Sequence, residues 1–404
     1  MPDRRSFLAA TGKPAGVALL CSVAGAAVAP AQAQTGPVRI GFSIAQTGPL
    51  GAPSASQRQA YDLWREQVNA RGGLEIAGQG KRPVEFVVYD DQSQGQNAAR
   101  IYEKLIGDDK VDLLLAPYAT AIHMGIIPVV ERARFPILAN TIGSIQAKNA
   151  GTKYMLFTQP FPDQWAVALI PLIKASGAKR VAVITAQLPF SLDMKKTLIG
   201  ELKKAGIEPA FNEEYPGDVK DLTSVITGLK AAAPDFVVGL SYLNDSVLYT
   251  TQARELGLQV QNQFTLIGPA QASFVQRLGP NADGTISIGQ WSRHAKRWPR
   301  AAPFFDAYVA RWKMPPDDKD TTIAYVSCEI LEQAVARAGL DREKLRSALM
   351  TGTFDTIMGP AKFDDKGHNA AMPAGFIQIQ KGINEVVWPR EIATAELIRK
   401  PGWQ

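Results

Sequence analysis

The sequence predicts an α/β fold built as two successive units, each a mainly parallel sheet covered by helices. Two observations predict it. Short apolar runs bounded by Gly, Pro, Asn or Asp alternate along the chain with longer segments whose apolar residues recur at three- and four-residue steps. The alternation then restarts near Phe157-Thr158-Gln159-Pro160, giving two blocks of similar layout with no visible sequence repeat. One stretch, Asp112 to Ser144, shows the unit in miniature. Leu113-Leu114-Leu115-Ala116 reads as a buried strand closed by Pro117. Ile122, Ile126, Ile127, Val130 and Ala133 follow at helical spacing, and Pro136-Ile137-Leu138-Ala139 is a second short apolar run.

Taken in order, Val38-Arg39-Ile40-Gly41-Phe42-Ser43-Ile44-Ala45 predicts the first strand, and Gln46-Thr47-Gly48-Pro49-Leu50-Gly51 a loop. A helix from about Ser54 carries Ala60, Leu63, Trp64 and Val68 on one face and stops at Gly72-Gly73. Residues 84–89 form a strand, 96–106 a helix, and the 112–144 unit completes the first block. In the second block, strands are expected at 181–184, 207–215, 236–240 and 264–267. Helices are expected at 165–175, 192–205, 222–232 and 245–256. A strand at 286–289 and helices near 301–313, 323–338 and 345–350 follow. Trp298, Phe304, Phe305, Tyr308 and Trp312 are expected as packing aromatics. Met358-Gly359-Pro360 reads as a break and 375–379 as a last strand.

The first residues predict export. Arg4-Arg5 before Phe7-Leu8, an apolar stretch from Gly16 to Ala29 and then Ala31-Gln32-Ala33 make a leader of twin-arginine type over 1–33, cleaved near Ala33. Cys21 follows Leu20 rather than a small residue, which argues against lipid attachment there. No later stretch has the length and apolarity of a membrane span. The remaining roughly 370 residues suit two domains. Removing Arg4, Arg5, Lys13 and Asp3 from 44 basic and 38 acidic residues leaves 41 against 37, a mild net of +4. With no basic stripe, nucleic-acid binding is not expected. Cys328 is the one cysteine past the leader. It lies in an apolar helical pattern and reads as inert core.

Catalytic constellations are missing. His123, His294 and His368 are far apart in sequence, and no GxSxG, Walker loop or strand-following GxGxxG occurs. His123 reads as a surface or satisfied residue. Asp90-Asp91 and Asp364-Asp365-Lys366-Gly367 read as turns. No enzyme activity, cofactor or metal is expected. A binding site is expected at strand ends, where open α/β sheets hold ligands. Ala119-Thr120 and Asn140-Thr141 end two strands of the first block. The helix after Thr120 offers free N–H groups and the positive end of its dipole, which suits a carboxylate. A hydroxyl at a helix start is also an ordinary cap.

The chain resembles the periplasmic leucine/isoleucine/valine-binding proteins, the type I solute-binding proteins of ABC importers. The resemblance rests on Val38-Arg39-Ile40-Gly41 with Thr47-Gly48-Pro49, on Asn69-Ala70-Arg71-Gly72-Gly73, and on Tyr89-Asp90-Asp91-Gln92-Ser93. It rests further on Phe236 to Tyr242 with Gln252-Ala253-Arg254, on Gly268-Pro269, and on Asp355 to Pro360 with Phe363-Asp364-Asp365-Lys366-Gly367.

The resemblance implies two Rossmann-like lobes with parallel central sheets, joined by three crossover strands near 157–160, 287–290 and 357–360. The N-terminal lobe would be 36–157 plus 290–357, and the C-terminal lobe 158–289 plus 358–404. It also implies a periplasmic monomer that traps a small-molecule ligand by hinge closure and passes it to the permease subunits of an inner-membrane ABC importer. A receptor-linked sensing domain and a hydrolase or amidase on the same fold are the alternatives.

The family's site positions carry over to Ala119 and Thr120 for the ligand carboxylate, Asn140 and Thr141 as the second loop, and Phe190 and Tyr242 from the other lobe. Leu50 and Tyr118 join the apolar lining. The acidic residue that receives a ligand ammonium follows a Gly-Pro pair in the family, whereas Gly268-Pro269 is followed here by Ala270 and then Gln271. Either another acid such as Asp245 takes its place, or the ligand lacks an amine. A small carboxylate with an apolar or aromatic body is the expected ligand.

Overall fold

The computed structural model describes Gly12 and residues 36–403, so the expected leader and its cleavage point lie outside the described residues. The first sheet opens with β1 (Val38–Ser43), which turns fully buried Val38, Ile40 and Phe42 to one face. Helix α1 (Gly51–Ala70) begins three residues before the expected Ser54 and buries Ala60, Leu63, Trp64 and Val68. A hairpin, β2 (Leu74–Ile76) with β3 (Gly80–Arg82), leads into β4 (Val84–Tyr89). Then follow α2 (Gly95–Gly107), β5 (Leu113–Leu114), α3 (Thr120–Arg132), β6 (Ile137–Ala139), the single turn α4 (Ile145–Lys148) and β7 (Met155–Phe157). Strand β1 lies between β4 and β5, all parallel, and β6 pairs with β7 in parallel.

The second block runs α5 (Pro162–Ala175), β8 (Val181–Ala186), α6 (Pro189–Lys204), β9 (Phe211–Tyr215), α7 (Thr223–Ala232) and β10 (Phe236–Leu240). It continues with α8 (Leu243–Glu255), β11 (Asn262–Thr265), a 3-10 turn at Gly268–Ala270, α9 (Ala272–Leu278) and β12 (Thr285–Ile288). Three helices follow: α10 (Ala301–Trp312), α11 (Asp320–Ala338) and α12 (Arg342–Thr351). The chain ends in β13 (Thr353–Thr356), β14 (Gly359–Lys362), β15 (Phe376–Gln380) and β16 (Ile383–Trp388). The second sheet has the order β16-β15-β12-β11-β10-β8-β9, with β15 alone running antiparallel to its neighbours β12 and β16.

Each central strand is buried on both faces, which is why it reads as a continuous apolar run. Strand alternation sends Val181 and Val183 into one layer of the core and Ala182, Ile184 and Ala186 into the other. In the β6–β7 pair Leu138 and Leu156 face one layer, and Ile137, Ala139, Met155 and Phe157 the opposite one. Helices α10 and α11 return to the first lobe. Trp298, Phe304, Tyr308 and Cys328 are buried there with Trp64 and Phe42, and Phe305 and Trp312 pack at the margin. Burial pushes the Cys328 thiol up, as for an inert core cysteine.

The chain leaves the first sheet after β7 and enters the second lobe at α5. It comes back between β12 and the buried Trp291 of the first lobe. The third crossing differs from the expected 357–360. Met358, Ala361, Phe363 and Met372 are buried in the first-lobe core, β13 and β14 form an antiparallel hairpin, and the chain joins the second sheet first at β15. The break at Met358-Gly359-Pro360 is therefore a hairpin turn and no crossing. Gly359 has a φ of +92°, and a Cβ there would stand 2.4 Å from Trp298 Nε1. The crossing falls between Met372 and Phe376, so residues 358–372 belong with the first lobe. The crossing segments touch: Gly289 N–H donates to Gly375 O at 3.0 Å, and Asn369 N–H to Phe157 O at 2.9 Å.

Candidate functional site

Strands β5 and β6 end side by side, and their loops are tied together. Ala119 N–H donates to Thr141 Oγ1 at 3.1 Å, and Gly143 N–H to Thr120 Oγ1 at 3.0 Å. Beneath them lies a polar support that sequence reading missed. Fully buried Gln57 of α1 donates from Nε2 to Ala116 O at 3.0 Å and Pro117 O at 2.9 Å, and its Oε1 accepts from Thr141 Oγ1 at 3.1 Å. Asn140 turns downward, donating to Tyr61 Oη at 2.6 Å, and is fully buried. A glutamine in an amphipathic helix reads as surface, so only its burial reveals this role. Leu50 caps the start of α1, with its N–H donating to Ser93 Oγ at 3.1 Å.

Ala119 precedes α3 with φ 72° and ψ 152° and no side-chain cap. This backbone region belongs almost wholly to glycine, and strain of this kind gathers at ligand clamps. His123, one turn into α3, is fully buried. Its Nδ1 is 2.9 Å from Ala119 O, Nε2 has no partner, and burial holds the imidazole down to about 4. It is thus a neutral interior residue, not a surface one.

The second lobe meets this wall directly. Phe190, at the start of α6, packs on Gly143, where an added Cβ would stand 2.9 Å from its ring. Ile145 N–H donates to Asp193 of α6 at 2.9 Å. On the other flank, the segment before α11 docks on the Gly268–Ala272 loop. Asp318 N–H donates to Ala270 O at 2.8 Å, and Asp317 Oδ1 accepts from Ala272 N–H at 2.9 Å. Ala270 and Gln271 are both buried in this contact. Burial, with the Asp320 charge adding, pushes the Asp317 carboxyl up to about 6, against the pull of the Ala272 amide.

Asp245, the other acid considered, is engaged within its own lobe. Its Oδ1 accepts from Tyr242 N–H at 2.9 Å at the start of α8, its Oδ2 from Tyr215 Oη at 2.8 Å, and burial pushes it up to about 6. The buried carboxylate beside Tyr118 is Asp320, which the sequence analysis did not single out. Lys319 Nζ lies 2.6 Å from its Oδ1, and Tyr118 Oη donates to its Oδ2 at 3.0 Å. Burial first, and then the Asp320 charge, raises the Tyr118 and Tyr242 phenols, so both rings border this pair. Lys319 and Asp320 are 8% and 3% exposed, and stripping either partner would leave a buried charge at a cost of about 3–5 kcal/mol.

The remaining candidates are structural. Asp90 Oδ1 accepts from Gln46 and Gln92 N–H at 2.8 Å, Asp91 bonds Ser43 and Ser93, and Asp364 accepts from Lys366 and His368 N–H. Among the described residues, no group of three or more His, Cys, Asp or Glu is placed to hold a metal. Also among them, no helix is long and apolar enough to cross a membrane. A cavity of about 560 Å³ lies between α9 and the β15–β16 turn of the second lobe and α10 of the first, lined by Trp291, Phe305 and Asn384. None of the ten expected site residues lines it.

Comparison with known proteins agrees with this architecture. A family model described as "Periplasmic binding protein" matches residues 37–383. The Leu/Ile/Val-binding protein homolog 7 of Brucella suis biovar 1 (strain 1330) is 23% identical, over 94% of this chain and 98% of its own. The branched-chain amino acid transporter substrate binding protein LivJ from Streptococcus pneumoniae, in complex with isoleucine, superposes with a TM-score of 0.76. It is 21% identical, over 90% of this chain and 99% of that one. A solute binding protein of an ABC transporter from R. palustris, in complex with benzoate, gives a TM-score of 0.76 at 16% identity, over 91% and 98%. The two-lobed, parallel-dominated sheets are those of the type I periplasmic binding proteins, and the chain belongs to the periplasmic binding protein family.

Proposed function

We propose that the chain is the exported solute-binding component of an ABC importer of the branched-chain amino acid type. It captures a small carboxylate-bearing ligand between its lobes and presents the closed form to the permease. The leader of 1–33 is removed near Ala33, and the mature protein works as a periplasmic monomer without catalysis. The single observation that carries this reading is the strained Ala119 backbone at the start of α3, next to Thr120, which holds the Gly143 loop that packs on Phe190 of the other lobe. A helix start with unpaired N–H groups favours an anion. Contacts from both lobes to one ligand supply the differential affinity that hinge closure needs. Isoleucine and benzoate, the ligands of the two solved relatives, share only a carboxylate as a polar group.

A thermal-shift screen tests this. Small aliphatic and aromatic carboxylates should raise the melting temperature, their primary amides should not, and mass spectrometry should recover the ligand unchanged. Stabilisation by amides alone, or conversion of the ligand, would count against the reading.

A further inference from the structure

Burying an ammonium requires a carboxylate with capacity left for it. The acids near the cleft can be taken in turn. Position 270 is an alanine. Both Asp245 oxygens are used, by Tyr242 and Tyr215. Asp317 Oδ1 accepts from the Ala272 amide and Asp318 Oδ2 from Asn384, and burial disfavours the charged form of both; Asp193 Oδ2 holds the Ile145 amide across the lobes. Asp320 remains, bordered by Tyr118 of one lobe and Tyr242 of the other. Its Oδ2 holds the Tyr118 hydroxyl, and its Oδ1 holds the ammonium of Lys319 at 2.6 Å.

We propose that Lys319 is a built-in ammonium that saturates Asp320, so that the site takes a carboxylate without an α-amine and rejects the matching α-amino acid. The proposal rests on the carboxylate reading above and names the substrate class within it. An incoming amine would lose its water and find Asp320 already neutralised, with a second cation within bonding distance of it. Repulsion and unpaid desolvation act together there, a rejection built by the site against the wrong ligand. His123 on the same side is neutral and adds no further charge.

Isothermal titration of the full mature chain with matched pairs tests this: propanoate against alanine, 4-methylpentanoate against leucine, phenylacetate against phenylglycine. The members of each pair differ only in the α-amine. The wild-type protein should bind the better-fitting acid about 100-fold or more tightly than its amino acid. Lys319→Met should free Asp320 and shrink that ratio at least about tenfold, while Lys319→Met with Asp320→Asn should not gain the amino acid. Lys319→Arg, which keeps the cation, should keep the discrimination. The wild-type comparison stands even if Lys319→Met fails to fold.

Equal wild-type affinity for acid and amino acid, or an undiminished ratio in folded Lys319→Met, overturns the role of Lys319 and leaves the carboxylate site intact. Wild-type binding to neither member of any pair overturns the carboxylate reading itself, and this inference with it.

Discussion

Ala119 carries a cost that the rest of the loop sustains. With φ 72° and ψ 152°, its strain is of order 1–3 kcal/mol, while a glycine would lose only about 0.5–1 kcal/mol in chain entropy. Ala119→Gly should therefore stabilise the fold by about 1 kcal/mol in urea unfolding, the reverse of an ordinary alanine-to-glycine change. A loss of stability would show that the loop is relaxed. Thr120→Ala removes the acceptor of the Gly143 amide and should weaken a carboxylate ligand by about 1–3 kcal/mol, measured as a dissociation constant. An unchanged constant would take Thr120 out of the site. Thr120 and Thr141 were legible because small polar residues after short apolar runs mark strand ends. Gln57, Lys319 and Asp320 were not, because long polar side chains read as solvated until a fold buries them.

At the scale of elements, the start of α6 and the loop after β6 make one contact that depends on the lack of a side chain. Gly143→Ala would set a methyl 2.9 Å from the Phe190 ring. Either the lobes part slightly or the ring shifts, at a cost of about 1–3 kcal/mol, so affinity should fall about tenfold while the melting temperature of the ligand-free protein stays put. Full affinity would mean that Phe190 moves freely.

The strands at 84–89 and 236–240 fall on the residues that their apolar runs mark out. The β2–β3 hairpin escaped because Gly80-Lys81-Arg82 lacks an apolar pattern, and α4 and α9 are too short for a helical period to show. The third crossing was misplaced because glycine followed by proline breaks a strand in the same way whether the chain turns back or moves on. Only the packing of Phe363 and Met372 distinguishes the two.

For the whole molecule, Asp317 contacts Ala272 of the other lobe, so the proposed closure would bury its carboxyl and set a pH dependence. Asp317 is pushed up to about 6 from an ordinary 3.8, and burial also raises Asp318. A carboxyl whose pKa rises on closure favours the closed form when protonated, so that advantage is lost as pH rises through the higher pKa. His123, held down to about 4, is neutral over most of this window and does not reverse the sign. Affinity should fall between about pH 4 and 6 and level off above that, read by titration calorimetry at constant ionic strength. Affinity that climbs over that range would contradict the burial of Asp317 on closure.

The most direct measurement is a crystal structure of the mature protein with a carboxylate that stabilises it in the thermal screen. The ligand should lie between the lobes with its carboxylate against residues 119–120 and Lys319 still on Asp320. Density for the ligand in the cavity beside Trp291 rather than against residues 119–120, or a carboxylate turned away from the start of α3, would contradict the account.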